Sequence, residues 1–91
     1  MTNAEKLTIL KHDLQILTDI HDDYLRGLLD TALALIAREG VTLEDTVEDN
    51  SLQIMYAAYL YRHRAESDNK MPRMLRFALN NRIFGGDTDV T

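Results

Sequence analysis

The chain of 91 residues contains no cysteine and no tryptophan, and only one proline. Without cysteine there is no disulfide framework, no thiolate zinc site and no cysteine nucleophile, and the composition suits a reducing compartment. No apolar run approaches the ~18 residues that a membrane-spanning helix needs, so none is expected. The opening Met1-Thr-Asn-Ala-Glu-Lys lacks the charged-then-apolar layout of a signal peptide, and export is not expected. No glycine loop fit to cradle a phosphate occurs, because Gly85-Gly86 lacks the strand and helix context. A chain this short holds a single core, and with no covalent or metal staple such domains are often helped by self-association.

What charge there is lies unevenly. The formal net charge is −5. Residues 1–61 carry eleven acids against four bases, a balance of −7, whereas 62–82 carry six bases (Arg62, Arg64, Lys70, Arg73, Arg76, Arg82) against two acids, a balance of +4. Such polarity suits ordered contacts with a charged partner or with a second copy, beside the plainer reading of solvated helix faces.

The periodicity predicts an all-α chain of four helices, at about 3–13, 19–39, 51–66 and 72–82, in one domain over 1–84, followed by a flexible acidic tail at 85–91. Thr2 and Glu5 have capping-box spacing, and Leu7, Leu10 and Leu14 form the first apolar stripe. Residues 14–17 either prolong that helix or form an apolar connector. Thr18 or Asp19 is the expected cap of the second helix, with Asp22 and Asp23 complementing its dipole and Gly40 ending it. Its stripe is Leu25, Leu28, Leu29, Ala32, Leu33 and Ile36, widened by Tyr24 and Leu35. Gly27, Thr31 and Ala34 form a small-residue face for which solvent exposure is the plainer explanation. Residues 41–50 read as an acidic loop ending in a cap at Asp49 or Asn50.

The third helix organises the rest. Leu52, Met55, Tyr56, Tyr59 and His63 share one side, with Ile54, Ala57, Ala58 and Tyr61 on the other. A helix apolar all round is buried on both sides, by its own bundle or by a neighbouring subunit. With so few other helices to surround it, Ile54, Tyr61, Arg62 and Arg64 are expected to meet a neighbouring subunit. After a turn at 66–70, Pro72 suits the first position of a fourth helix with Met74, Leu75, Ala78 and Leu79 inward and Arg73, Arg76 and Asn80 outward.

Catalytic and metal chemistry find little support. Asp19, His21, Asp22 and Asp23 are consecutive at a helix start and diverge around it. His12, His21 and His63 have neither ligand spacing nor a nucleophile partner. No catalytic residue, metal or cofactor is expected. Tyr56, Tyr59 and Tyr61 are more readily core or interface than a cofactor box. A helix-turn-helix at 51–82 in a small DNA-binding or packaging protein is the alternative. Against it stand a linker longer than that motif uses and an acidic body that opposes phosphate contacts.

Taken in order, the motifs resemble those of the small helical head–tail connector (adaptor) proteins of tailed bacteriophages, over about residues 6–84. Lys11-His-Asp-Leu-Gln-Ile looks like the family's opening helix with its Lys-x-x-Leu-x-Ile ending. Asp22-Asp-Tyr-Leu-Arg-Gly-Leu-Leu-Asp-Thr-Ala is similar to the acidic start and Leu-x-x-Leu-Ile-x-x-Ala heart of its second helix, with Leu29 in the isoleucine position. Leu52-Gln-Ile-Met-Tyr-Ala-Ala-Tyr-Leu-Tyr-Arg-His-Arg resembles its third, and Met71-Pro-x-x-Leu-x-x-x-Leu with Arg82 its close. The segment 41–50 departs from the family in lacking an aromatic, glycine-containing stretch, and the tail beyond Arg82 is short.

The resemblance implies a non-enzymatic ring subunit, commonly of a dodecamer in the virion, and is compatible with either a ring or a monomer when isolated. It docks on the portal protein, extends the DNA channel and receives the tail or a stopper protein. The place implied is the virion neck of a phage or prophage, assembled in the host cytoplasm, with no membrane contact and no specific DNA binding. Arg73, Arg76, Arg82 and Phe84 are then the expected portal-facing residues, and the acidic 41–50 segment lies nearest the lumen or the tail side.

Overall fold

Helix α1 (Asn3–Leu14) begins where Thr2 and Glu5 predict. The Thr2 hydroxyl oxygen accepts from the Glu5 N–H at 3.1 Å, and the Glu5 carboxylate accepts from the Thr2 N–H at 2.9 Å. Its end is a Schellman turn built on glutamine rather than glycine. Gln15 takes φ +59°, its N–H donating to the His12 carbonyl while the Ile16 N–H donates to that of Lys11. Residues 15–17 are thus a connector, with Ile16 packed against the core and Leu17 96% exposed.

The computed structural model describes residues 1–64 and 71–88, with side chains described to residue 84. Helix α2 (Asp22–Arg38) starts later than the expected residue 19, capped by His21 without a side-chain hydrogen bond. Asp19 is drawn off by Lys11, whose Nζ lies 2.8 Å from Asp19 Oδ1 and 2.9 Å from Asp22 Oδ1. Gly40 ends the helix at φ +90°, a conformation that costs glycine little. The α2 core stripe is narrower than its sequence suggests. Leu25, Leu29, Ala32 and Ile36 are buried and Leu28 and Leu35 half-buried, whereas Tyr24 and Leu33 are exposed. Gly27, Thr31 and Ala34 face solvent.

Helix α3 (Val47–Arg62) departs from expectation by starting four residues before residue 51. Thr46, not Asp49 or Asn50, is its cap, accepting from the Asp49 N–H at 3.1 Å. The second half of the expected loop 41–50 is therefore helical, because Glu48 and Asp49 gain from the positive end of the α3 dipole. Replacing Thr46 by alanine is expected to cost about 1 kcal/mol, read as a lower urea midpoint with an unchanged slope.

α3 is the central helix, packed against α1, α2 and α4. The tightest core side chains are Leu10 (α1), Leu25 and Ile36 (α2) and Leu79, while Ala57 and Ala58 let neighbouring backbones approach closely. Gln53, buried on α3, joins two neighbours: its Nε2 donates to the Leu29 carbonyl at 3.0 Å, and its Oε1 accepts from Lys6 Nζ at 2.9 Å. Burying an amide is tolerable only with such partners.

Helix α4 (Arg73–Thr88) follows Pro72, whose carbonyl accepts from the Arg76 N–H at 3.0 Å. Leu75 and Leu79 are its buried stripe. Met74, expected inward, is 78% exposed, and Arg76, expected outward, is half-buried. The contact made by Leu75 and Leu79 fixes the helix phase, which rotates Met74 off the core. The helix extends past residue 82. The tail expected at 85–91 falls on residues whose side chains, and from 89 on whose backbone, lie outside the description, as does the turn expected at 66–70. No strand occurs among the described residues, and none of their helices is long and apolar enough to cross a membrane.

Candidate protein-contact surfaces

The arginines that the sequence offers to partners are largely engaged within the chain. Arg82 is the clearest case. Its Nε donates to Asp49 Oδ1 at 2.7 Å, and its Nη2 donates to Asp49 Oδ2 at 3.2 Å and to the Thr42 carbonyl at 3.1 Å. Asp49 Oδ2 also accepts from the Glu44 N–H at 2.8 Å. The Asp49 side chain is 3% exposed and that of Arg82 27%. One carboxylate thus ties together α4, the start of α3 and the segment between α2 and α3. Burial pushes the Asp49 carboxyl up, yet the Arg82 and Glu44 hydrogen bonds and the Arg82 charge outweigh it and hold the group below its ordinary value. Arg82 is a structural clamp within this chain.

The other positions divide. Arg76 pairs with Glu39 at 3.3 Å and donates to Asn80 Oδ1. Arg62 pairs with Asp13 at 3.2 Å, both half-exposed. Arg64 stacks its guanidinium 3.9 Å from the Tyr61 ring centroid and donates to the Tyr61 carbonyl. Tyr61 also packs on Tyr24 at 6.4 Å between centroids. Ile54 is 6% exposed, because α1, α2 and α4 already surround α3; its own chain supplies the neighbour it was expected to lack. Arg73 and Phe84 alone of the eight stand at the surface without a partner among the described residues, Phe84 at 61% exposure.

Two apolar surface features emerge that the sequence pattern did not single out. One is the outer face of α4, where Phe77 (60% exposed) and Phe84 lie two turns apart, roughly opposite Leu75 and Leu79. The other is a furrow along α3 between α1 and α4. Three depressions, of about 300, 240 and 220 Å³, meet at Met55. Asp13 links the first and last of these, and Ser51 links the second and last. Ile9 forms part of one wall, and Met74, Ala78 and Asn81 line the other. Methionines at 1, 55 and 74 make the lining soft and adaptable. The heptad-like recurrence of Met74, Phe77, Asn81 and Phe84 was the available signal, obscured because Met74 and Leu75 are adjacent and only one of them can face the core.

No group of three or more histidine or acidic side chains placed to hold a metal occurs among the described residues. Asp19 and Asp22 converge instead on Lys11. The arginine pairs bear on nucleic acid as well: Arg62, Arg76 and Arg82 each face a carboxylate, so a phosphate would have to displace it. Comparison with protein-family models, curated proteins and solved structures finds no match.

Proposed function

We propose that this chain is a non-enzymatic assembly subunit, the building block of a phage or prophage head–tail connector ring. The observation that carries an assembly role is the apolar surface left over once the core is closed: Phe77 and Phe84 on α4, and Met55 and Ile9 along the furrow. Exposed apolar side chains gathered on particular helix faces are what a protein interface requires. The phage assignment itself rests on the order and spacing of the helix motifs. In that role the portal docks on one side of the ring, and the tail or stopper protein binds the far side. DNA passes through the channel unbound, repelled by the acidic body.

Sedimentation with and without purified portal tests this. The expected result is co-sedimentation with the portal in a ring stoichiometry. A protein that stays monomeric and ignores the portal overturns the assignment. Retention on DNA at low salt, lost steeply as salt rises, would favour the DNA-binding alternative instead.

A further inference from the structure

The furrow on α3 and the outer face of α4 match each other in spacing and charge. Phe77 and Phe84 are seven residues apart, which places them about 10.5 Å apart along the helix. The depressions at the two ends of the furrow are floored by Ser51 and by Ala58, also seven residues apart on α3. Each end depression, at about 240 or 300 Å³, exceeds the roughly 150 Å³ that suffices to hold a benzene ring. Setting Phe77 over Ser51 and Phe84 over Ala58, with the two helices parallel, brings Arg73 level with Val47, one residue and about 1.5 Å along the axis from Glu48, a step that a long guanidinium side chain spans. Arg73 and Glu48 are both exposed charges without an ion-pair partner among the described residues. One register satisfies all three pairings.

We infer that the α3 furrow is the seat for α4 of a second copy of this chain, with Phe77 and Phe84 entering the depressions on either side of Met55 and Arg73 facing Glu48. Donor face and receiving face lie on different parts of the surface, so the contact is heterologous. Each copy gives α4 to one neighbour and receives α4 from another, and the repeat generates a closed ring or an open chain. The aromatic pair supplies the binding and the charge pair fixes the register. This deepens the assembly reading above and rests on it only for the premise that the chain meets copies of itself.

Mixing two damaged partners is the discriminating experiment. Phe77→Glu with Phe84→Glu spoils the knob and leaves the furrow. Met55→Arg, or Ile9→Glu should Met55→Arg fail to fold by circular dichroism, spoils the furrow and leaves the knob. Wild-type protein is expected to sediment as concentration-dependent oligomers, and each variant alone as a single copy, with affinity lowered about thirtyfold or more. Mixed, the two variants should give a one-to-one dimer that grows no further. A second readout is charge exchange: Glu48→Arg weakens association, and adding Arg73→Glu to it restores it. A wild type that is monomeric at its highest soluble concentration overturns the inference and leaves the portal test to decide the connector assignment. Association that survives the furrow variants but not the phenylalanine variants points to α4–α4 pairing and equally overturns it. So does a mixture in which both variants remain single.

Discussion

Arg82→Ala is expected to destabilise the fold by about 3 kcal/mol, although the residue is partly open to water. The substitution removes both donors of a forked pair and leaves the Asp49 Oδ1 atom, within a side chain only 3% exposed, with no counter-charge. It also frees the Thr42 carbonyl. The loss is large beside the ~5–15 kcal/mol that holds a small domain together. Lysine at 82 should recover only part of it, since an ammonium cannot engage both carboxylate oxygens and a carbonyl in the same fork. The effect also carries a pH signature. Because the folded state holds the Asp49 carboxyl below its ordinary value, the unfolded chain binds the proton first as pH falls. The stabilisation is therefore fully present above about pH 4, the usual carboxyl range of unfolded chains, and is lost as pH drops through the lowered folded value. Urea titrations of wild type and Arg82→Ala should show a gap that is constant near neutrality and closes on acidification. A gap that stays open at pH 2, or never appears, contradicts the clamp.

Leu79→Ala should cost about as much, roughly 2 to 5 kcal/mol, through a different mechanism. Leu79 is fully buried and holds α4 against the rest of the core, so truncation leaves a cavity that only its neighbours can fill. For a domain of this size the thermal midpoint should fall by more than about 10 °C. The control lies on the same helix. Met74→Ala, at a side chain 78% exposed, should change stability by less than about 0.5 kcal/mol. Equal losses at both sites would mean that α4 does not turn Leu75 and Leu79 inward and Met74 outward.

Features set by neighbours in sequence were legible before the structure. The Thr2–Glu5 capping box, the stop at Gly40 and the leucines facing inward from α2 depend on residues within a turn or two of each other. What escaped was decided across long separations. The start of α3 was hidden because 44–50 is acidic enough to read as loop, and the counter-charge that helps make a buried Asp49 tolerable, Arg82, lies thirty-three residues on. Arg82 in turn looked like a free basic residue because its partner lay in a segment expected to be solvated. Ile54 was reserved for another subunit on the reasoning that few helices were available, yet three suffice to enclose α3. Of the contact surfaces, Phe84 and Arg73 were legible as exposed groups. The furrow was not, since it exists only when α1 and α4 flank the same helix.

The Asp49–Arg82 clamp also bears on how the chain opens. α1, α2 and α3 interlock through Leu10, Leu25, Ile36 and the Gln53 bridge, whereas among the described residues α4 is held by Leu75 and Leu79 with Ala78 and Ile83 beside them, by the forked Asp49–Arg82 pair and by the more exposed Arg76–Glu39 pair. Its backbone amides are therefore expected to exchange with solvent through a local opening that leaves the other three helices closed, at a free energy below that of global unfolding. Protonating one carboxylate lowers that opening cost for the whole helix, which makes α4 a separate cooperative unit with its own release.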